Sequence, residues 1–539
     1  MNLDVQAIDQ IFEKWNRSDS PGASVGIYKD GEIAFAKGYG MSNLEHEIPI
    51  TPGSIFHVAS VSKQFATFCI GLLEEDGLLS VDDEVRTHVP RLPDFGHSIT
   101  IRHLIHHTSG IRDQWSLLRY AGWRQEDLVT EEDVMVMLER QTALNFEPGE
   151  KYLYSNSGYT LLAVIIKAVS GKTIREFAHD RIFTPLGMTS THFHDDHSEI
   201  VPGRTQAYTP RDGGGYHISI PEFALSGATS LFTTVEDLAK WEQNFATAQV
   251  GSPELLTTMQ TKGTLRTGEE IDYGWALRIR TYRGATIVEH SGADHGYRAH
   301  FMRLPEYGIA VSCLSNLSTS MPTSLCEQIL DALLADTLEP VTAPETAALG
   351  QIIANPTDDA FVGIFREAKE EMLLRITEID GRLMLDLDES RGLDRNETGT
   401  YTAQGPWPVE IAALAADDSF PAGLSVNIGY GLPPFRLERI DSPALANEQL
   451  AEFAGRYWSD ELHVFYDIAI TGETLSLERL KHKPEPLYPA APDRFFHGFL
   501  FDTLDLTFER DATGAITGFS HSSGRIAGLH FRRVPAGTP

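Results

Sequence analysis

The fold and the chemistry of this chain centre on one stretch, Phe56-His57-Val58-Ala59-Ser60-Val61-Ser62-Lys63-Gln64-Phe65, which leads into an apolar run. It contains the only Ser-x-x-Lys in the 539 residues. If Ser60 opens a helix, Lys63 lies one turn later on the same face, close enough to exchange a proton with the serine hydroxyl. Free N–H groups at a helix start can also hold a developing oxyanion. The stretch therefore predicts a nucleophile, although most such tetrapeptides are only a capping serine and a solvated lysine.

Two later motifs offer partners for this serine. Tyr154-Ser155-Asn156 stands directly before a helical apolar run, and Glu289-His290-Ser291-Gly292-Ala293 follows a strand. A phenol there can relay protons, an amide can orient the lysine or the substrate, and Gly292 allows close approach of a substrate backbone. Each motif alone is more often a loop tyrosine or a strand-end histidine. Their order within one domain makes them a candidate catalytic set.

The composition indicates a folded, acidic protein of two to four domains. Hydrophobic residues make up 42% and charged residues 22% of the chain. The net charge of −32 repels nucleic acid and anionic lipid, so we expect neither as a partner. The three cysteines, Cys69, Cys313 and Cys326, are too few for a disulfide framework or a zinc site.

The first part of the chain reads as one α+β domain over residues 1–336. Two strands surround the turn Asp30-Gly31, helical patterns fill residues 98–190, and strands return over 274–281, 285–290, 297–304 and 309–314. Helices are expected over residues 4–16 and 320–335. Early and late strands around a helical insert predict an antiparallel sheet with flanking helices and a helical lobe.

The remainder contains an internal repeat. After a Pro-rich linker at 337–356, Phe361-Val362-Gly363-Ile364-Phe365 matches Phe453-Ala454-Gly455-Arg456-Tyr457 at a separation of 453 − 361 = 92 residues. The turns at Asp380-Gly381 and Gly472-Glu473 keep that offset. We expect two small antiparallel β-barrels, over 357–441 and 442–539, since closure removes exposed strand edges.

The three motifs in this order resemble the penicillin-recognising serine hydrolases, which include serine β-lactamases, DD-peptidases and the related esterases and D-amino-acid peptidases. The stretches 104–111, 147–156 and 185–188 support the resemblance, which covers about residues 20–335. It implies a β-lactamase/DD-peptidase-like domain, and the added barrels are similar to those of the D-aminopeptidase branch.

The resemblance also implies a role for each residue. Ser60 would be acylated, Lys63 and Tyr154 would share general-base and general-acid work, and Asn156 would fix Lys63 and the substrate. The backbone N–H groups of Ser60 and Ala293 would form the oxyanion hole, beside Gly292.

His290 carries information about the substrate. Family members that bind a free carboxylate have a lysine at this position, whereas an imidazole is mostly neutral near pH 7. The histidine therefore favours a small peptide, amide or ester without an essential anionic tail, in particular one with an N-terminal D-residue. An acidic partner for the substrate ammonium is less evident, with Glu222 and Asp294 as candidates. A broader D-amidase or esterase stays open.

Several alternatives remain at this point. Within enzymes, a class C-like β-lactamase or DD-carboxypeptidase is the runner-up, and a penicillin-acylated sensor without turnover is a different class. A degenerate scaffold whose barrels bind a partner is a third. No cofactor and no metal are expected, because the stretch His192-Phe193-His194-Asp195-Asp196-His197 reads as a polar loop.

The first residues lack the basic start and apolar run of a signal peptide, and no run is long enough to cross a bilayer. We therefore expect a cytoplasmic protein without a membrane partner. A homodimer is compatible with the sequence.

Overall fold

The structure, a computed structural model, describes residues 3–211, 213–335, 337–340, 351–367, 372–386, 391–397, 399–403, 409–416, 422–428, 434–498 and 503–535. Residues 341–350 of the predicted linker lie outside this set.

The α-helices within these ranges are α1 Val5–Phe12, α2 Lys63–Glu75, α3 Val85–His88, α4 Ile101–Ile105, α5 Gln114–Tyr120, α6 Glu131–Glu139, α7 Asn156–Ser170, α8 Ile174–Ala178, α9 Thr184–Leu186, α10 Val235–Thr247, α11 Pro253–Met259, α12 Pro322–Leu333 and α13 Asn447–Leu450.

The strands of the first part are β1 Ala23–Lys29, β2 Glu32–Tyr39, β3 Met41–Asn43, β4 Ile48–Pro49, β5 Phe56–His57, β6 Val129–Thr130, β7 His192–Phe193, β8 Tyr208–Pro210, β9 Tyr216–Ile218, β10 Phe223–Ala224, β11 Leu231–Thr233, β12 Arg278–Tyr282, β13 Ala285–Asp294, β14 Tyr297–Leu304 and β15 Ile309–Ser315.

The strands of the second part are β16 Gly363–Glu367, β17 Leu373–Ile379, β18 Arg382–Leu385, β19 Arg391–Gly392, β20 Asp394–Arg395, β21 Tyr401–Ala403, β22 Val409–Leu414, β23 Gly423–Asn427, β24 Phe435–Ile440, β25 Gly455–Ser459, β26 Val464–Thr471, β27 Thr474–Arg479, β28 Glu485–Ala491, β29 Arg494–His497, β30 Leu504–Arg510, β31 Ile516–Ser523 and β32 Ile526–Arg533.

The principal sheet joins both ends of the first part, as predicted. Its order is β12-β13-β14-β15-β1-β2, so the opening hairpin pairs with the last strand before α12. Asp30 and Gly31 both have positive φ, which the tight turn between β1 and β2 requires. β14 and β15 are buried along their whole length, as expected for central strands with both faces covered.

Helices cover the two faces of this sheet. The apolar sides of α1 and α12 bury residues such as Phe12 and Ile329 against β1, β14 and β15. α10 packs on β1, β2 and β15. The helical lobe between β5 and β7 contains α2, which packs against α7, and α7 in turn packs against α4. This lobe supplies one side of the candidate site.

The chain divides into two compact units. One consists of Met1–Ile111, Gln125–Glu139 and Phe146–Val341, and the other of Arg112–Arg124, Arg140–Asn145 and Thr342–Pro539. The predicted boundaries at 336, 356 and 441 follow chain order, so they differ from this division. The difference arises because two segments of the helical lobe pack with the C-terminal residues: the hydroxyl of Tyr120, for example, donates to the Thr503 carbonyl at 2.9 Å.

The internal repeat is present in the C-terminal unit. β25 begins 455 − 363 = 92 residues after β16, and β27 begins 474 − 382 = 92 residues after β18. Each copy pairs its first strand with its last, β16 with β24 and β25 with β32. The two repeats therefore share a strand plan.

Within the described residues, β25 to β32 form a closed eight-stranded barrel. β16 to β24 form an antiparallel sheet whose two edge strands are β19 and β20. β19 pairs with β18 and β20 with β21, yet Leu393 alone separates the two edge strands in the chain. The two edges of this sheet therefore meet at one continuous stretch, so the first repeat also curls round on itself, as expected of a small barrel.

Among the residues described here, no helix combines the length and apolar character that crossing a membrane requires.

Candidate active site

Ser60 lies in a 3-10 turn, Ala59–Ser62, and the α-helix begins only at Lys63. The two residues still share one face, because Lys63 Nζ lies 2.9 Å from Ser60 Oγ. The predicted contact between serine and lysine is therefore present, with a tighter turn than an α-helical start provides. The apolar residues of α2, from Phe65 to Leu73, are buried and anchor the turn in the core.

The Lys63 side chain is fully buried and bonded to three oxygens. Besides Ser60 Oγ, its amine donates to Asn156 Oδ1 at 2.8 Å and to the Ala228 carbonyl at 2.6 Å. Asn156 is the first residue of α7, so the lobe helix and the Ser60 turn meet at this amine. These contacts fix the amine at the serine hydroxyl.

Backbone strain marks the residue before Ser60. Ala59 has a φ of 47°, in the region that non-glycine residues rarely adopt. Ser62 holds the turn from within, since its hydroxyl donates to the Ala59 carbonyl and accepts from the Leu231 amide at 2.9 Å. The Ala59 amide donates to His57 Nδ1 at 3.1 Å. Hydrogen bonds from Ser62 and to His57 therefore hold the Ser60 turn in place.

Tyr154 stands over the lysine. Its ring centroid lies 5.0 Å from Lys63 Nζ, and the His107 ring packs on it at 4.1 Å between centroids. The His290 ring lies 6.2 Å away, also between centroids. The fold therefore brings the Ser-x-x-Lys, Tyr-x-Asn and His-x-Gly motifs into one site.

A hydrogen-bonded chain reaches His290 from the lobe. The Ser155 amide donates to His107 Nδ1 at 3.1 Å, so His107 Nε2 carries the proton and donates to the Tyr273 hydroxyl at 3.2 Å. That hydroxyl donates to His290 Nε2 at 2.9 Å, while His290 Nδ1 donates to the Ser291 carbonyl at 2.6 Å. The network assigns one tautomer to each histidine.

His290 is neutral in this setting. Burial lowers the pKa of His290 to about 3. Its Nε2 faces a phenol rather than a carboxylate. Near pH 7 a neutral histidine can form hydrogen bonds, but it carries no permanent positive charge that would bind a substrate carboxylate.

Gly292 brings β13 directly against the Ser60 turn. A Cβ on Gly292 would meet the Val58 carbonyl oxygen at 2.2 Å and the Ser60 amide nitrogen at 3.1 Å. Ala293 follows in the same strand, opposite Arg298 of β14. β13 continues through residue 294, so the His-x-Gly motif lies within a strand and not after one. Two backbones thus run side by side at the nucleophile.

The beta-lactamase family model matches residues 8–335 of the chain. The chain belongs to the beta-lactamase family. The D-aminopeptidase of Gluconobacter oxydans (strain 621H) is 26% identical over 453 residues, which cover 83% of this chain and 81% of that protein. Penicillin-binding protein 4* of Bacillus subtilis (strain 168) is 30% identical over 328 residues, 57% of this chain and 71% of that protein.

Solved structures agree with this family at the level of fold. The octameric penicillin-binding protein homologue from Pyrococcus abyssi superposes with a TM-score of 0.57 and 24% identity, covering 81% of this chain and 100% of the other. The Gluconobacter oxydans alignment is longer than the match to the beta-lactamase family model. Similarity therefore extends into the C-terminal unit.

Of the two acidic candidates, Asp294 lies in the strand that carries the His-x-Gly motif of this beta-lactamase family member. It ends β13, and its carboxylate accepts from Thr229 Oγ1 at 2.9 Å and pairs with His295 Nδ1 at 3.0 Å. Burial alone would raise the pKa of Asp294, but the His295 hydrogen bond and the nearby His57 hold it below its usual value. Asp294 is therefore a carboxylate at neutral pH.

The sequence motifs missed two contributors to this beta-lactamase-type site. Tyr273 lies between α11 and β12 in no recognisable motif, and the Ala228 carbonyl has no side-chain signal at all. His107 lies in the stretch 104–111, for which the sequence predicts no catalytic role. Its ring lies between those of Tyr154 and Tyr273, at 4.1 and 4.9 Å between centroids, a placement that the sequence alone does not reveal.

Proposed function

We propose that the protein is a serine hydrolase that works through an acyl-enzyme at Ser60 and releases N-terminal D-residues from short peptides, amides or esters. The observation that carries this proposal is the 2.9 Å contact between a buried Lys63 amine and Ser60 Oγ. A buried amine at that distance can act as the base that a serine nucleophile requires.

In the proposed reaction, neutral Lys63 takes the Ser60 proton as Oγ attacks the substrate carbonyl. The backbone N–H groups of Ser60 and Ala293 stabilise the oxyanion, and the close approach of β13 at Gly292 supports that arrangement. Tyr154 passes a proton to the departing amine or alkoxide. Water then hydrolyses the ester on Ser60, with the same groups returning the proton.

Neutral His290 supports a substrate that lacks an essential carboxylate. We assign it the role of a hydrogen-bonding group that lines the site, and Asn156 that of fixing Lys63 and the substrate amide. The D-aminopeptidase named among the relatives supports a substrate with a free N-terminal amine. We propose the Asp294 carboxylate as the group that attracts this ammonium.

The decisive assay is a substrate panel with wild type and Ser60→Ala. It contains the p-nitroanilides of D- and L-alanine, simple p-nitrophenyl esters and a chromogenic cephalosporin. We expect turnover of the D-amide that Ser60→Ala abolishes, and a covalent mass increase on Ser60 during turnover. Undiminished activity in Ser60→Ala would exclude the mechanism.

The same panel separates the alternatives. Preference for the cephalosporin would favour a β-lactamase or DD-carboxypeptidase, an option that the similarity to penicillin-binding protein 4* supports. Labelling by fluorescent penicillin without product release would indicate a sensor. The cytoplasmic location stays a prediction, as does a homodimer, which light scattering during size-exclusion chromatography would test.

A further inference from the structure

We propose that His192, His194 and Glu199 form a binding site for one divalent transition-metal ion, with Zn²⁺ as the expected occupant. One ring nitrogen of each histidine and a carboxylate oxygen of Glu199 all lie within 4.8 Å of one another. Two imidazoles and a carboxylate are a ligand set that zinc accepts.

A strand holds the two histidines in place. His192 lies in β7, which pairs with β11, and His194 is two residues further along the chain. Because alternate residues of an extended chain point to the same side, both rings project together. The Phe232 ring lies against both, with centroids 5.6 Å from His192 and 4.7 Å from His194. The sequence was expected to form a polar loop here, but the structure shows that strand β7, paired with β11, begins at His192 and holds this histidine pair.

The ring nitrogens of His194 are a second, independent observation that points to a bound ion. The side chain is 5% exposed, and neither Nδ1 nor Nε2 has a hydrogen-bond partner. His192 Nε2 is buried and unpartnered as well. Native proteins rarely leave buried polar atoms unsatisfied, and each such case calls for an explanation such as an ion.

One distance favours coordination over a simple pair. His194 Nδ1 lies 3.5 Å from Glu199 Oε2, which is longer than a charge-assisted hydrogen bond. Two ligands bound to one tetrahedral zinc at about 2.0–2.1 Å are themselves separated by roughly 3.3 Å. The observed spacing is close to that value.

The surrounding charges indicate which ions can bind. Arg175 Nη1 donates to Glu199 at 2.7 Å and to Asp195 at 2.9 Å, and Arg204 also acts on His194. Two guanidinium groups and two carboxylates cancel, so the electrostatic field offers a cation little attraction. Binding must come from the nitrogen lone pairs, which favours Zn²⁺ over Mg²⁺ or Ca²⁺.

Arg175 holds the third ligand in place. Its Nη1 and Nη2 donate to the two Glu199 carboxylate oxygens at 2.7 and 2.8 Å. Arg175 therefore orients the Glu199 carboxylate, as outer donors do at metal sites.

The site is separate from the serine chemistry. β7 joins the three-stranded sheet β5-β11-β7, and β5 leads into the Ser60 turn. The ion would fix β7 to the following segment that carries Glu199 and would play no part in the reaction, so metal removal should lower thermal stability more than turnover.

The test measures metal binding directly in untagged, full-length protein stripped with a chelator. Zn²⁺ stoichiometry and affinity are determined by mass spectrometry of bound metal and by competition with a chromophoric chelator. Wild type is compared with His192→Ala, His194→Ala and Glu199→Gln. His197→Ala is the matched control, because His197 is exposed in the same segment. The chain has 20 histidines, some of which can bind Zn²⁺ elsewhere. The result is therefore judged by the difference in bound Zn²⁺ between variants and not by the total amount bound.

We expect wild type and His197→Ala to bind one more equivalent than His194→Ala, and His192→Ala and Glu199→Gln to bind at least tenfold more weakly. Co²⁺ should give visible d–d absorption that His194→Ala lacks, and Mg²⁺ should not compete. Ser60→Ala should bind as wild type. Equal binding by wild type, His192→Ala and Glu199→Gln would overturn the proposal. If His194→Ala does not fold, these two variants provide the test.

Discussion

Gly292 lies so close to Val58 that a Cβ at this position would come within 2.2 Å of the Val58 carbonyl oxygen. The contact is between backbones, so no side chain can move to relieve it. Gly292→Ala must therefore push β13 away from the Ser60 turn and separate the two proposed oxyanion donors. We expect kcat to fall by about 100-fold or more, the usual loss for one such donor.

The matched control is Gly53→Ala. A Cβ on Gly53 would meet Glu236 Oε2 at 3.5 Å as its nearest neighbour, an ordinary contact. Steady-state kinetics of both variants should show the loss at Gly292 only. Equal activity of Gly292→Ala and wild type would mean that the spacing of β13 does not matter for catalysis.

Tyr273 links the lobe to His290 through a single hydroxyl. Tyr273→Phe removes only that oxygen, which is the hydrogen-bond partner of His290 Nε2 and also bonds to His107 Nε2. An unsatisfied buried group costs about 1–3 kcal/mol, and His290 loses its fixed orientation. We expect kcat/KM to fall by roughly tenfold, together with a lower Tm.

A merely structural role for Tyr273 would lower Tm and leave kcat and KM unchanged, so both are measured. Tyr152→Phe is a useful comparison, because Tyr152 also packs against the His107 ring but is 40% exposed to solvent. Loss of activity in Tyr152→Phe alone would contradict the assignment.

Acid should destabilise the N-terminal unit through buried histidines. Burial lowers the pKa of His57 and of His106 to about 4 and that of His290 to about 3, against about 6.5 in an unfolded chain. Between pH 6.5 and 4 the unfolded chain binds protons that the folded one does not. The free energy of unfolding therefore falls as the pH falls, by up to about 1.4 kcal/mol per pH unit for each histidine.

Urea unfolding from about pH 7.5 to 5 measures this slope, which should vanish above about pH 7 because the histidines are then neutral in both states. His106→Gln should give a shallower slope, whereas exposed His197→Gln should keep that of wild type. If the free energy of unfolding depends on pH with the same slope in wild type, His106→Gln and His197→Gln, the buried histidine does not control stability in acid.

Much of the fold follows from local rules that the sequence displays. The Asp30-Gly31 turn fixes the opening hairpin, and β14 was predicted over its observed bounds, Tyr297–Leu304, which lie directly between Gly296 and Pro305. The repeat offset of 92 residues predicted matching strands in the C-terminal unit. Such features depend on neighbours in the chain, so periodicity and turn chemistry reveal them.

Features that depend on distant residues were not predictable in the same way. The 3-10 turn at Ser60 is held by Leu231, the His290 orientation by Tyr273, and the Lys63 amine by the Ala228 carbonyl. None of these three partners belongs to a motif. Tertiary contacts override local preference here, as they do at many functional sites.

Within the C-terminal unit, Arg112 and Glu461 form a buried ion pair that should dominate local stability. Arg112 Nη1 donates to Glu461 Oε1 at 2.7 Å, and the side chains are only 1% and 7% exposed. The same carboxylate oxygen accepts from the amide and hydroxyl of Thr142 at 2.8 and 2.9 Å. Glu461→Ala removes the carboxylate from this buried ion pair, and losing one member of a buried pair typically costs about 3–5 kcal/mol, so we expect about that loss.

The control for this prediction is Asp467→Ala, which removes an exposed pair with Arg456 on the barrel surface. Solvent screens that pair, so its loss should barely change unfolding. Urea unfolding of the full chain, followed by circular dichroism, measures both variants. Similar midpoints for Glu461→Ala and Asp467→Ala would contradict the prediction, because the Glu461 pair is buried and also accepts from Thr142, whereas the Asp467 pair is exposed to solvent.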